Sequence, residues 1–311
     1  MILRATLTSG NLKILINRKV IQGPWGGGNL FVSAFCETMT KRGHQVVHTL
    51  DRDLDAIFLQ DPRYSDLGIS INEVLAYKKS NPKIKVFHRV NECDARKGTN
   101  EIDDLLRACS SYTDFTFFVS QWMKNYHLEK GWNCNSSSVV YNGVNQEHFY
   151  PCLDREKINN GKINIVAHHW SNNRMKGFDI YEALDRFVSV ENGYTFTYIG
   201  RDLGTFKNTE VIKPLSGKKL GTKLSTYDVY VSGTIADPGP NHILEALSCR
   251  LPTYVLDSGG GSVEFAGRDH SFSSFRGFID KITKGIRKND FIPAGWNDCI
   301  ESYAKVIESL V

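Results

Sequence analysis

Short apolar runs alternate with longer amphipathic stretches along this chain of 311 residues, and this alternation constrains the fold more than any other feature. The apolar runs that predict buried strands are 13–17, 55–59, 85–88, 115–119, 138–141, 162–166, 194–199, 228–231 and 253–256. Helix-like stretches lie between them near 29–42, 71–80, 100–110, 120–130, 177–190, 216–225, 240–249 and 272–287. Strands that alternate with helices form parallel, doubly wound sheets, so we expect an α/β fold.

A polar segment at 154–161 interrupts the alternation, which then starts again. A chain of this length can form two domains of ordinary size. We therefore predict a first domain over 1–155 and a second domain over 156–290. The remaining residues, 291–311, include a stretch with helical periodicity and are predicted to form a terminal helix.

The composition excludes several classes of protein. The hydrophobic fraction of 41% and the charged fraction of 23% are typical of a globular protein. The net charge of +4 permits anionic substrates without requiring nucleic acid or a membrane. No apolar run is long enough for a membrane span, and the first residues do not resemble a signal peptide. The seven cysteines show no C-x-x-C spacing, so we expect reduced thiols, a cytoplasmic location and no zinc site.

The segment from Asp237 to Glu245 places two carboxylates around a turn rich in proline and glycine and the start of a helix. A turn between a strand and a helix points backbone N–H groups and the positive end of a helix dipole at one spot, which suits a phosphate. Proline has no N–H group, so the predicted donors are those of Gly239, Asn241 and His242. With a ribose at Glu245 and a second polyol at Asp237, the ligand would be a nucleotide-sugar.

Two other segments carry groups suited to an anion. The loop 23–30 follows the first strand, and its consecutive glycines Gly26, Gly27 and Gly28 allow close approach of the backbone. The segment 170–180 follows the first strand of the second domain and places Lys176 at a helix start. A lysine there opposes the helix dipole, which favours a nearby anion.

Together these segments resemble glycosyltransferase family 4. The stretch 237–252 is similar to the family's E-x7-E signature, with Asp237 in place of the first Glu and with Pro238 and Pro240 in place of glycines. The stretch from Tyr141 to Pro151 resembles the family's inter-domain signature. The resemblance implies the GT-B fold, which consists of two Rossmann-like domains that face each other across a cleft. It also implies that the terminal helix returns to the first domain.

The resemblance assigns roles to individual residues. It implies that Lys176 contacts the diphosphate, that Glu245 binds ribose and that Asp237 holds sugar hydroxyls. Ser171 stands where many members carry an arginine, so Arg174 is the nearest cation that could assist Lys176. His88 matches a histidine near the transferred sugar, and the polar residues after it are predicted to face the acceptor: Arg89, Asn91, Glu92 and Asp94.

The resemblance thus implies a retaining glycosyltransferase that moves a sugar from an NDP-sugar donor to the hydroxyl of a glycan or another acceptor, with no other cofactor. GT-B enzymes generally need no metal for transfer, and we discount the D-x-D pattern of Asp51 and Asp53 as the polar entry to a strand. Two alternatives stay open: another NDP-sugar enzyme such as an epimerase, and a non-catalytic nucleotide-sugar-binding protein. The aromatic residues Trp122, Tyr126 and Trp132 fit packing better than peripheral membrane contact.

Overall fold

The computed structural model describes residues 10–21, 26–66, 68–134, 136–151, 158 and 160–311. The described strands are β1 Lys13–Ile16, β2 Gln45–Val47, β3 Ala56–Leu59, β4 Lys85–Val90, β5 Phe115–Phe118, β6 Ser137–Val139, β7 Ile163–His169, β8 Tyr194–Gly200, β9 Glu210–Ile212, β10 Val229–Ser232, β11 Thr253–Leu256 and β12 Ser271–Phe272. The described α-helices are α1 Gly27–Lys41, α2 Ile71–Ser80, α3 Asp94–Lys97, α4 Ile102–Ser110, α5 Gln121–Glu129, α6 Phe178–Val188, α7 Gly217–Leu224, α8 Asn241–Ser248, α9 Ser262–Ala266, α10 Phe275–Lys284 and α11 Trp296–Leu310.

The strands form two parallel sheets of six strands each, which confirms the predicted doubly wound α/β fold. The first sheet has the order β2-β1-β3-β4-β5-β6, and the second has the order β12-β11-β10-β7-β8-β9. If β7 is numbered as strand 1, the strand order of the second sheet is 6-5-4-1-2-3, which is the order of a Rossmann sheet. The strand order of the first sheet resembles the flavodoxin-like order with one strand added.

Alternate side chains of the first sheet enter two separate cores. Ile14 and Ile16 of β1 pack with Phe58 and Phe87 under α1. Leu15, between them in sequence, packs on the opposite face with Ile57 and Val86. This alternation is the period of two that a strand imposes on its side chains. It explains why central strands of a doubly wound sheet read as continuous apolar runs.

The second sheet is covered in the same way. One face packs against α7, α8 and α9 through Val166, Tyr230 and Val255. The other face packs against α6 and α10 through Ile165 and Tyr198, among other residues. The loops that leave the carboxyl ends of β7 and β10 therefore start from a sheet that is covered on both faces.

The terminal helix α11 packs in the core of the first sheet. Cys299, Ile300, Tyr303, Ala304 and Ile307 are buried there with residues of α1. At the helix surface, the guanidinium of Arg42 contacts the carboxylates of Glu301 at 2.5 Å and Glu308 at 2.7 Å. Helix α11 thus packs on the first sheet and not on the second.

The connection between the two sheets lies partly outside the described residues, which omit 154–157 and 159 of the predicted linker. Val144 and Phe149, which the sequence placed in the first domain, already pack in the core of the second sheet. The Val144 N–H also donates a hydrogen bond to the carbonyl of Ala294, just before α11, at 3.0 Å. The two cores therefore separate before the boundary predicted at residue 155.

Candidate functional site

The carboxyl ends of β7 and β10 are the topological switch point of the second sheet. These two strands are neighbours, yet the chain leaves them toward opposite sides of the sheet. Open α/β sheets bind their ligands at such a point. The loop after β7 carries Lys176, and the loop after β10 carries Asp237.

Lys176 and Asp237 form an ion pair here, with Nζ 2.9 Å from Oδ2. Arg96, from α3 of the first domain, brings its Nε to 3.8 Å from the same oxygen. Burial raises the pKa of Asp237, but the positive charges of Lys176 and Arg96 outweigh it and hold the pKa below its ordinary value. Burial lowers the pKa of Lys176, and the carboxylate of Asp237 offsets only part of this effect.

The backbone that carries Asp237 is fixed by the segment after β11. The Ala236 N–H donates to the Ser258 carbonyl at 2.8 Å, and the Gly261 N–H donates to the Asp237 carbonyl at 2.9 Å. Ala236 has a φ of 48°, in the left-handed region that residues other than glycine rarely adopt. Conformations of this kind cluster at functional sites, where the surrounding structure enforces them.

Helix α8 starts directly after this loop, at Asn241, with Pro240 as its N-cap residue. The first amides of an α-helix have no acceptor within the helix, so the N–H groups of Asn241 and His242 are suited to an external anion. Pro238 and Pro240 precede the helix. Pro240, as the N-cap residue, lacks one N–H at the helix start, but the amides of Asn241 and His242 in the first turn remain.

Glu245 is held by a histidine that the sequence analysis did not single out. Its Oε2 lies 2.8 Å from Nε2 of His168, the penultimate residue of β7. Both side chains are largely buried: the exposed fraction is 16% for Glu245 and 8% for His168. The predicted ribose-binding carboxylate therefore lies at the same strand end as Lys176.

The side chain of His242 is used inside the fold. Its ring lies 4.5 Å from the ring of His169, and its Nε2 lies 3.0 Å from Oγ of Ser232. Burial lowers the pKa of both His169 and His242 well below the ordinary value. The two rings are thus neutral near pH 7, and the donor role predicted for His242 at the start of α8 falls to its backbone N–H.

The glycine-rich loop of the first domain reaches α8. Gly26 is the N-cap residue of α1 and has open space around it, whereas a Cβ on Gly27 would collide with Nδ2 of Asn241. A Cβ on Gly28 would lie 3.4 Å from Nε2 of Gln60. The part of this loop before Gly26 lies outside the described residues. The structure therefore brings Gly27 and Asn241 together across the cleft.

Arg89 does not face an acceptor, and this prediction is wrong. The side chain is 1% exposed; it lies over the ring of Phe31 at 4.1 Å and donates to Asn142 Oδ1 at 2.6 Å. Asn142 in turn donates to the Asn241 side chain at 2.7 Å and to the Gly239 carbonyl at 3.1 Å. Arg89 thus connects the first sheet to the start of α8.

His88 is fully buried on the opposite face of β4, so its predicted position near the transferred sugar is also wrong. Neither ring nitrogen has a hydrogen-bond partner among the described residues. Burial lowers its pKa to about 4. The ring lies 6.4 Å from that of Trp132, within the layer beneath α5, and does not line the cleft.

The remaining predicted acceptor residues separate into two groups. The carboxylate of Asp94 is 7% exposed and accepts from Thr99 Oγ1 at 2.5 Å and from the Ile102 N–H at 3.0 Å. It fixes the turn between α3 and α4, which corrects its assignment to an acceptor. Asn91 and Glu92 follow the carboxyl end of β4, and Glu92 pairs with Lys97 at 2.7 Å. Their acceptor role stays a prediction.

Arg174 points away from the Lys176–Asp237 pair. Its guanidinium contacts Asp179 at 2.8 Å and Glu182 at 3.0 Å, and 58% of its side chain is exposed. The sequence prediction that Arg174 assists Lys176 is therefore wrong for this structure. Arg96 occupies that place; the sequence analysis did not assign it a role, although it lies two residues after Asp94.

The D-x-D carboxylates lie elsewhere. Asp51 and Asp53 contact Nζ of Lys13 at 2.9 and 2.7 Å, at the amino end of β1. Because carboxyl ends of parallel strands share one edge of a sheet, these residues are at the edge opposite the cleft.

The aromatic residues near α5 pack as expected. Trp132 is buried, and the rings of Trp122 and Tyr126 stack at 5.3 Å. Among the described residues, no helix has the length and apolar character needed to cross a membrane.

Comparison with solved structures identifies the fold class. The chain has the GT-B fold, with 12% identity and a TM-score of 0.65 to sucrose-phosphate synthase from Thermosynechococcus elongatus over 96% of this chain and 97% of that one. Anabaena HepE in complex with UDP and glucose gives 11% identity and a TM-score of 0.66, over 96% of this chain and 93% of that one.

The glycosyltransferase WaaG, involved in lipopolysaccharide biosynthesis, gives 14% identity and a TM-score of 0.61, over 96% of this chain and 97% of that chain. No protein-family model matches the chain, and no curated protein matches it. The likeness is therefore one of fold.

Proposed function

We propose that this protein is a glycosyltransferase that moves a sugar from an NDP-sugar to an acceptor hydroxyl. The observation that carries the proposal is the convergence of Lys176, Asp237 and the start of α8 at the switch point of the second sheet. A cation and free helical amides suit a diphosphate, and Asp237 suits the hydroxyls of the attached sugar. The structure of HepE with UDP and glucose, which has the same fold, supports this class of ligand.

The proposed reaction breaks the bond between the anomeric carbon and the diphosphate oxygen and forms a bond from that carbon to the acceptor oxygen. The acceptor proton passes to an oxygen of the departing diphosphate. Lys176 and the amides of α8 stabilise the charge that develops on the leaving group, which is an electrostatic role. This front-face course retains the anomeric configuration and requires no enzyme nucleophile, as the resemblance to family 4 suggests.

A donor screen tests this proposal. Unfolding temperatures are measured with UDP-, GDP-, ADP- and dTDP-sugars, and any stabilising donor is then incubated with simple glycosides or polyols as acceptors. We expect one class of nucleotide to raise the unfolding temperature, because a ligand that binds only the folded state stabilises it. A glycosylated product with release of the NDP supports transfer. An isomerised NDP-sugar would indicate an epimerase, and binding without turnover would indicate a binding protein.

Glu245→Ala is expected to weaken nucleotide binding about 10- to 150-fold, because a hydrogen bond to a charged group contributes about 1.5–3 kcal/mol. The affinity is measured by calorimetry with the nucleoside diphosphate that binds the wild type. Glu264→Ala is an unsuitable control, because Glu264 caps α5 across the domain junction. Glu191→Ala, at an exposed position, serves instead. An unchanged affinity in Glu245→Ala would remove the ribose assignment.

A further inference from the structure

The cations at the candidate diphosphate site come from both domains. Within the second domain, Lys176 is the basic side chain that contacts Asp237. Ser171 carries no charge, and the guanidinium of Arg174 is paired with Asp179 and Glu182 on α6. The second cation at Asp237 is Arg96, whose side chain is 13% exposed.

The sequence folds to hold Arg96 in this position. It is the third residue of α3, a single turn that begins directly after the loop from β4. The carboxylate of Asp94 accepts hydrogen bonds from Thr99 and from the amides of Ile102 and Asp103. Gly98 ends the turn in the left-handed conformation, with a φ of 67°. Arg96 is therefore carried by a braced turn and not by a free loop.

The balance of charge shows why Arg96 matters. Asp237 neutralises one positive charge, so Lys176 and Asp237 together carry no net charge. Arg96 makes the sum of these three side chains positive, and the nearby Glu92 is itself paired with Lys97. A diphosphate is a polyanion. Arg is well suited to bind its oxygens, because the guanidinium fork can donate two parallel hydrogen bonds.

We propose that Arg96 binds the donor diphosphate from across the cleft, as the second cation beside Lys176. This inference rests on the proposed function. In the structure the carboxylate of Asp237 partners both cations, and on binding the diphosphate takes over that role for Arg96. Because Arg96 belongs to the first domain and Lys176 to the second, the diphosphate site is complete only when the two domains are in contact.

Arg96→Gln tests the proposal, with Arg107→Gln as the matched control. Arg107 is a first-domain arginine whose side chain is 49% exposed and pairs with Asp104 on its own helix. Calorimetry measures three ligands: the nucleoside diphosphate that best stabilises the wild type, the corresponding nucleoside and inorganic pyrophosphate. We expect Arg96→Gln to lower the affinity for the nucleoside diphosphate and for pyrophosphate about 10-fold or more. The affinity for the nucleoside should be unchanged. Arg107→Gln should behave as the wild type with all three.

The outcomes separate this inference from the proposed function. If the wild type binds the nucleoside diphosphate and Arg96→Gln binds it equally well, Arg96 is not a diphosphate ligand, although the proposed function stands. An equal loss for nucleoside and nucleoside diphosphate in Arg96→Gln would show a structural role and overturn the inference. If pyrophosphate binds in an Arg96-dependent way but no nucleotide binds, the anion site stands and the nucleotide-sugar function fails. If the wild type binds neither the nucleoside diphosphate nor pyrophosphate, both proposals fail.

Discussion

Lys176→Ala is expected to lower the turnover number about 10²- to 10³-fold, the size of effect seen when one donor to a developing oxyanion is removed. The ammonium lies beside the position proposed for the leaving diphosphate, and charge builds up there in the transition state. An interaction that strengthens in the transition state affects the rate more than ground-state binding. The initial rate at saturating donor is therefore the measurement, with donor affinity determined separately by calorimetry.

Lys219→Ala is the control for this variant, because Lys219 lies exposed on α7 of the same domain. Removing Lys176 also leaves Arg96 as the remaining cation beside Asp237. The double variant with Arg96→Gln is therefore expected to lose more activity than either single variant. Wild-type turnover in both Lys176→Ala and the double variant would place the leaving group elsewhere in the protein.

Arg89→Ala is expected to reduce the free energy of unfolding by about 3 kcal/mol, because it leaves buried polar partners unsatisfied and opens a cavity. The guanidinium donates to Gln60 at 3.1 Å, to Asn142 at 2.6 Å and to the Tyr303 hydroxyl at 3.3 Å. Tyr303 belongs to α11, so a single side chain connects the first sheet, the terminal helix and the segment that contacts α8.

Denaturant unfolding measures this effect, and the exposed Arg107→Ala provides the control, with a change expected within about 0.5 kcal/mol. A loss in Arg89→Ala no larger than in that control would show that the Arg89 network contributes nothing to stability. It would also reopen a role for Arg89 at the cleft. Nucleotide affinity, measured at a temperature where the variant remains folded, reports separately on the position of Asn241.

The central strands could be predicted from the sequence because each is a continuous apolar run buried on both faces. The strands that were missed are β2, β9 and β12, which all lie at sheet edges and have three residues or fewer. An edge strand pairs on one side only and need not be apolar. Its position is set by tertiary pairing, for which local sequence carries little signal.

The structure brings together three residues that the sequence analysis assigned to the donor, and their roles stay predictions. Lys176 pairs with Asp237, and Glu245 contacts His168 near the end of β7, because the strands before them end at the same edge of the second sheet. The errors at His88 and Arg89 have one cause. The predicted strand ended at residue 88, whereas β4 continues to Val90, so both side chains lie within the sheet and alternate into its two faces.

Two further residues depended on contacts that local sequence does not encode. His168 lies in an apolar strand, and its contact with Glu245 requires the pairing of β7 with β10 and the packing of α8 over both. Arg96 was visible as part of a polar stretch, but its approach to Asp237 depends on how the two domains meet. The polar segment after β4 indicated a site, but the sequence did not indicate which of its side chains faces the second domain.

The central claim is that a nucleoside diphosphate binds at the switch point of the second sheet, and a crystal structure with the bound nucleotide tests it most directly. We predict diphosphate oxygens within hydrogen-bond distance of Lys176 Nζ and of the first amides of α8, with the ribose hydroxyls at Glu245. A nucleotide bound elsewhere, while Lys176 stays paired with Asp237 alone, would contradict the claim.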